Sequence, residues 1–396
     1  MAKKTDRIFL SCLLAVLLAV PAGVALWSHQ ETSAYYENRA LAQFPALTWE
    51  SLWDGSFASA FESWYSDHVP GRTTLLKADT AVQMQVLRRP VVNGILTTQS
   101  VLLPFMEYEE WAPESYPGPA KTIAADYQKL DAHIRANGGS FYFVGFPEQR
   151  VYFEDLFPSY LSSHQKEAAG ADKAFADALT AQGIPFLDMG AVYDAQGHPA
   201  NFYSAVDHHY NYYGAYAAYR AILADLNADG WDLPVLEEDD LEFQILPNPY
   251  IGSRSRKLYN LWPNEERAVI GVQRQPVAFT RTDNGQNSDK PLFVLPQTAD
   301  LPTTYNLYMG GDFGETVLKT NRPTLPKALI FGDSFTNAME TLLYASFDET
   351  RILDLRHYTE KSLKDYISDY QPDIVLCVQN DTFYYTTTGN GAVWEE

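Results

Sequence analysis

The order of apolar and polar positions divides the chain into parts. Ile8 to Trp27 is a 20-residue stretch whose only polar members are Ser11 and the weakly polar Cys12. At about 1.5 Å per residue, a helix of that length crosses the ~30 Å hydrocarbon layer of a bilayer. Lys3, Lys4 and Arg7 precede it, and His29, Glu31 and Glu37 follow. The positive-inside rule then predicts a cytoplasmic tail at 1–7, a transmembrane signal-anchor at 8–27 and an extracytoplasmic body. Cleavage of a signal peptide near Gly23-Val24-Ala25, with secretion of the rest, is the other reading of the same stretch.

A juxtamembrane segment follows at 28–90. In it Phe57, Phe61, Trp64 and Tyr65 fall at i, i+4, i+7 and i+8, a helical stripe that Pro70-Gly71 ends. This predicts an amphipathic helix packed on the body. From Asn93-Gly94, a hairpin signal, helices and strands alternate. Helices are predicted at 119–136, 164–182 and about 213–226, with strands at 141–146 and 184–187. Residues 232 to about 325 break the rhythm. They are rich in Pro, Asn, Thr and Asp, carry short alternating runs such as Val277–Arg281, and read as a β-containing insertion. The alternation then resumes with strands at 328–331, 351–355 and 374–378 and helices at 335–344 and 363–370. Such a pattern predicts an α/β domain over 91–396, a doubly wound parallel sheet with helices on both faces and its site at the carboxyl ends of the strands.

Charge narrows the partners. Lys+Arg number 29 against 50 Asp+Glu in 396 residues, a formal charge of −21. A body this acidic, without any basic run, repels phosphate backbones and anionic lipid surfaces, so nucleic acid is not an expected partner. Hydrophobic residues at 46% and aromatics at 14% suffice for a packed core. The two cysteines, Cys12 in the apolar stretch and Cys377 in a predicted core strand, predict no disulfide.

Three segments carry candidate chemistry. In Ala328-Leu-Ile-Phe-Gly-Asp-Ser334 an apolar strand runs into Gly332, which permits a tight turn, and Ser334 falls where a helix begins. Free N–H groups and the dipole there suit a nucleophilic hydroxyl and a developing anion, although Asp333 or Ser334 as a plain helix cap explains the same residues. In Asp207-His208-His209-Tyr210, an extended segment turns Asp207 and His209 to one side, so the carboxylate can orient the imidazole, and His208 faces away. A metal site is the alternative for Asp-His-His, but no further ligand spacing accompanies it. In Val378-Gln379-Asn380-Asp381, at the end of the last strand, the Asn380 amide can donate to an oxyanion, with ordinary turn chemistry as the plain reading. Hydroxyl, Asp-supported imidazole and oxyanion donor together form the set that acyl transfer requires.

These residues resemble the SGNH hydrolase superfamily, and within it the DHHW family and the related AlgX/AlgJ-type polysaccharide O-acetylation proteins. Gly332-Asp333-Ser334 is similar to the Gly-Asp-Ser nucleophile block. Asp207-His208-His209 resembles the Asp-x-His pair in permuted order, ahead of the serine. Asn380-Asp381 is similar to the Gly-x-Asn-Asp block, with Val378 in place of its glycine. Glu37-Asn38-Arg39, Asp67-His68-Val69-Pro70-Gly71-Arg72 and Tyr305-Asn-Leu-Tyr-Met-Gly-Gly311 also resemble segments of these families. Tyr210 stands where the family name has Trp.

The resemblance implies a Ser334-His209-Asp207 triad, with the Ser334 N–H and the Asn380 side chain as oxyanion donors. It leaves a further donor open among Gly310, Gly311 and Gly252-Ser253. His208 and Tyr210, with these glycines and Ser253, are expected to line the substrate site. It implies no cofactor and no metal, and a polysaccharide of the cell surface as substrate for an O-acetyltransferase or acetylesterase. A multipass membrane acyltransferase is implied as a possible source of acyl groups. A non-catalytic glycan-binding or assembly protein on the same fold is the alternative.

Overall fold

The computed structural model describes residues 4–26, 33–37, 39–105, 113–162 and 164–394. Lys3, Trp27, His29, Glu31 and Asn38 lie outside the described residues. The chain forms two compact units, 1–95 with 255–263, and 96–254 with 264–396.

In the first unit the apolar stretch is one helix, α1 (Lys4–Leu26). An 18-residue window within Lys4–Val24 has a mean hydropathy of 2.2, which fits a signal anchor or a signal peptide. Three helices follow: α2 (Trp49–Trp53), α3 (Ser56–Asp67) and α4 (Arg72–Ala81). On α3 the expected stripe is only partly covered. Trp64 is buried and Phe61 is 38% exposed, both against the ring of Phe44 from the preceding loop. The Glu37 and Asp67–Arg72 segments meet as an ion-pair network. Arg39 donates to Asp67 Oδ2 at 2.8 Å and to Glu37 Oε2 at 2.8 Å, and Arg72 donates to Glu37. Arg39 beside it holds the Asp67 carboxyl down at about 2. These two family-like segments therefore clamp the entry of the unit together.

The second unit is built on eight strands: β1 (Ser140–Phe146), β2 (Phe186–Asp188), β3 (Thr280–Asp283), β4 (Gln286–Asn287), β5 (Glu315–Lys319), β6 (Lys327–Gly332), β7 (Glu349–Leu353) and β8 (Ile374–Asn380). They lie side by side in the order β4-β3-β5-β7-β6-β8-β1-β2. From β7 to β2 every pairing is parallel. From β4 to β7 every pairing is antiparallel. The sheet is thus mixed rather than wholly parallel, because β3, β4 and β5 of the 232–325 region extend it at one edge in antiparallel pairing. The pair Leu241–Pro249 and Arg267–Gln273 of the same region stands apart from it as a two-stranded ribbon, and short strands over 33–104 form two further small sheets.

Helices α5 (Pro117–Ala136), α6 (Gln165–Ala181) and α9 (Leu363–Tyr370) cover one face. There Tyr127, Phe175 and Ile367 pack against Leu329, Phe331, Val375 and Cys377 of β6 and β8. Strand periodicity turns Ile330, Leu376 and Val378 to the opposite face, and all three are fully buried. Helices α7 (Tyr212–Ala228) and α8 (Thr336–Leu343) pack on each other, α8 buried along its length and α7 along one side. Near-continuous apolar strands are what a sheet covered on both faces requires.

Candidate active site

The carboxyl end of β6 makes the first part of the site. A Cβ on Gly332 would lie 1.8 Å from the Val378 carbonyl oxygen of neighbouring β8, so only glycine lets the two strands stay paired while the chain turns away. Asp333 then fixes the turn. Its Oδ1 accepts the Phe335 N–H at 2.9 Å and its Oδ2 accepts the Asn380 N–H at 2.8 Å, which ties the end of β6 to the end of β8. Burial pushes the Asp333 carboxyl up to about 6 against the pull of those donors. Asp333 is therefore the turn's cap and Ser334 is not. Ser334 is left with its hydroxyl directed to His209, and among the described residues no acceptor takes its N–H.

His209 comes from a closed loop. Tyr203 and Tyr210 bridge across its base, and the Ser204 N–H donates to the His209 carbonyl at 3.2 Å. Next to it, Asn211 caps α7, accepting the Tyr213 N–H at 2.9 Å. The i, i+2 partnership of Asp207 and His209 arises from this compact loop and not from an extended run. His209 Nδ1 lies 2.6 Å from Asp207 Oδ1, and His209 Nε2 lies 2.7 Å from Ser334 Oγ. Asp207 and His209 are 2% and 4% exposed. Burial alone would raise the Asp207 carboxyl. The charge and hydrogen bond of His209, the charge of His208 and the Ser253 N–H outweigh it and hold that carboxyl well below the usual carboxylate range.

Further residues support the pair; of these Arg254, Ser204 and Glu266 carry no signal in the sequence, and Tyr305, Gly252 and Ser253 stand out there without these contacts. The Tyr305 ring stacks flat on the His209 ring, 3.6 Å between centroids and 4° between planes. The Ser253 N–H donates to Asp207 Oδ2 at 2.6 Å, and Ser253 Oγ meets His208 Nδ1 at 2.8 Å. A Cβ on Gly252 would stand 2.2 Å from the Val206 carbonyl, so glycine allows this close approach. Arg254, buried, donates to the Asp207 carbonyl at 3.3 Å. Ser204 Oγ accepts the Asp207 N–H at 2.9 Å and donates to Glu266 Oε2 at 3.0 Å, while the Ala205 N–H donates to the same oxygen at 2.8 Å. Glu266 thus lies behind the loop as a buried carboxylate, raised to about 7 by burial.

The remaining expected residues divide. Asn380 ends β8 beside Phe146 of β1. Its Nδ2 donates to the Phe146 carbonyl at 3.3 Å, and its Oδ1 accepts from Thr382. One amide hydrogen is left over for another acceptor. His208 is half exposed, its side chain 47% accessible. Tyr210 stands in the core instead of lining a substrate site: it is 1% exposed, packs on Phe146 and Phe335, and donates to the Phe335 carbonyl. Gly310 and Gly311 form a left-handed turn in which the Gly311 N–H is taken by the Tyr308 carbonyl at 3.3 Å. Ser253 likewise spends its N–H on Asp207, so of the open donors neither Gly311 nor Ser253 offers a free one.

Among the described residues, two groups bring enough ligand atoms together to hold a metal, Asp207-His208-His209 and Asp312-Asp354-His357. In the first, both His209 ring nitrogens are already engaged, and a metal would displace Asp207 or Ser334. In the second, Arg356 already places its guanidinium against Asp312 at 3.0 Å and Asp354 at 2.6 Å.

Residues 107–300 match the family model described as "SGNH hydrolase-like domain, acetyltransferase AlgX". Over that span, just under half of the chain, the sequence is similar to an SGNH hydrolase-like domain. The matched span contains Asp207 and His209 and ends before Ser334. Solved structures agree in fold. Bacillus cereus PatB1 is 24% identical with a TM-score of 0.63, covering 73% of this chain and 96% of its own. The same protein with a sulfonyl adduct gives 22% and 0.60, over 74% and 97%. A DHHW family protein from Eubacterium siraeum gives 18% and 0.56, over 74% and 93%. No curated protein matches. The resemblance read from the sequence and the class it implies, an SGNH-type acyltransferase or esterase, are borne out.

Proposed function

We propose that this protein is an extracytoplasmic, membrane-anchored serine enzyme that transfers an acetyl or other acyl group onto or off a cell-surface polysaccharide. The observation that carries the proposal is the Ser334-His209-Asp207 relay, 2.7 Å and 2.6 Å between successive partners. In this reading Ser334 Oγ attacks the acyl carbonyl while His209 Nε2 takes its proton. Asp207 stays ionised, fixes the tautomer that bares Nε2 and stabilises the imidazolium. Tyr305 presents a π-face to that cation, an interaction of about 0.5–2 kcal/mol. The Ser334 N–H and the spare Asn380 amide hydrogen receive the oxyanion, each such donor contributing about 2.7–4 kcal/mol in the transition state.

Collapse releases the leaving group, which takes the proton from His209, and leaves an ester on Ser334. A sugar hydroxyl or water, deprotonated by His209, then attacks that ester. Transferase and esterase differ only in this acceptor. The acyl donor is proposed to come from a multipass membrane acyltransferase.

The test is the ester-linked acetate on surface polymers of cells carrying wild type or Ser334→Ala. A transferase loses acetate in the variant and an esterase accumulates it. Unchanged acetate, with the variant folded and present at the surface, rejects the enzymatic reading in favour of a glycan-binding role.

A further inference from the structure

Outside α1, 11 of the 18 exposed large apolar side chains among the described residues lie in the smaller first unit. Within it, α2 is a single short helix in which Trp49, Leu52 and Trp53 fall at i, i+3 and i+4, on one face. Their exposures are 77%, 48% and 83%, and Leu47 in the loop before is 65% exposed. The arrangement is built to stay in place. Thr48 and Ser51 close a reciprocal cap on α2, with the Ser51 N–H donating to Thr48 Oγ1 at 3.1 Å. Phe44 pins the preceding loop to α3, its ring edge-on to Trp64 at 4.9 Å. The carboxyl end of α1 reaches the same set of helices, since a Cβ on Gly23 would stand 3.0 Å from Pro70, just past α3.

We propose that this face of α2 lies in the headgroup–acyl boundary of the bilayer that α1 crosses. Tryptophan and leucine on one face of a short helix suit that zone, where an aromatic ring buries its body and keeps its polar tip wet. From Ala40 to Gly71 there is no Lys or Arg, while Glu50, Asp54, Glu62 and Asp67 are acidic. The attraction is therefore apolar, needs no anionic lipid and persists at high salt. Continuity with α1 selects lipid over a soluble partner, because the face belongs to the same compact unit as the span.

The inference rests on the anchored reading, and the experiment separates the two. Full-length protein, with Cys12→Ala so that only buried Cys377 remains, is placed in phosphatidylcholine nanodiscs. Nitroxide labels are attached at Leu14→Cys in α1, at Trp53→Cys or Ala46→Cys in the segment, and at Tyr160→Cys as an exposed reference. Ala46→Cys leaves both tryptophans in place. The expected ratio of oxygen to nickel-complex accessibility at 46 and 53 is several-fold above that at 160, below that at 14, and unchanged by salt. Values at 46 and 53 equal to those at 160, with 14 still in lipid, overturn the proposal and leave the anchor standing. An aqueous value at 14 removes the anchor itself. Aqueous values in discs combined with protection of position 53 in cells assign the face to a protein partner and also overturn it.

Discussion

Glu266 makes a quantitative expectation. It is buried, and its Oε2 holds both the Ser204 hydroxyl and the Ala205 N–H of the loop that carries Asp207. Burial, and secondarily the charge of Asp207, raise its carboxyl from 4.5 to about 7. A group raised in the folded state leaves stability intact below its unfolded value and costs stability progressively as pH climbs through the folded one. The window here is therefore about pH 4.5 to 7, and the full cost above it is roughly 3 kcal/mol. Glu266→Gln keeps an acceptor for both donors and mimics the protonated form. It is expected to match wild type near the bottom of that window and to exceed it by up to roughly 3 kcal/mol above it. Glu266→Ala instead strands two buried donors, at about 1–3 kcal/mol each, and is expected to be less stable than the Gln variant at every pH. Denaturant titrations of the three proteins across pH, alongside turnover of nitrophenyl acetate, read both effects. Gln should retain turnover and Ala should lose it. Parallel stability curves for wild type and Glu266→Gln would refute the reasoning, since they would mean that Glu266 ionises alike in both states.

Other expectations follow from the same geometry. Asp207→Asn leaves the fold but removes the charge behind His209, and turnover of an acetyl ester should drop by about 10⁴, the effect of this change in a serine triad; a loss under tenfold would detach Asp207 from the chemistry. Because Asp207 is held well below the usual carboxylate range, the acid limb of the pH–rate profile of ester turnover should not move with Asp207 protonation above pH about 4. Gly332→Ala drives a methyl into the Val378 carbonyl, and a loss of more than about 3 kcal/mol is expected in denaturation; a stable, active variant would show that β6 and β8 can separate there.

Much of this arrangement was legible in the sequence, for definable reasons. Strands β1, β6 and β8 are largely apolar runs, and their helices carry clean periodicity, so the parallel half of the sheet and the cluster at its carboxyl ends could be read directly. Gly332 and Ser334 were legible because a strand, a glycine and a helix start leave little freedom. The antiparallel edge was not. Strands β3 and β4 are short and polar, and what seats β3 is a buried pair, Arg281 with Asp283 at 2.9 Å, that no periodicity records. The packing around Asp207 and His209 was only partly legible. The sequence singles out Ser253 and the Tyr305 segment without their contacts to Asp207 and His209, and does not single out Glu266. These residues act from 44 to 96 residues beyond His209 in sequence, through a backbone N–H, a ring stack and a carboxylate that local patterns do not encode. Tyr210 misled because it adjoins the histidines, yet strand-like bridging to Tyr203 turns it inward.

The central claim is that Ser334 is a nucleophile activated by His209, and covalent labelling meets it most directly. Folded protein is treated with a serine-directed fluorophosphonate and the modified peptide is identified by mass. The expected result is one adduct, on Ser334, formed far more slowly in His209→Ala and absent in Ser334→Ala. Well-folded wild type that takes no adduct, or takes it at another residue at an undiminished rate in His209→Ala, would contradict the account.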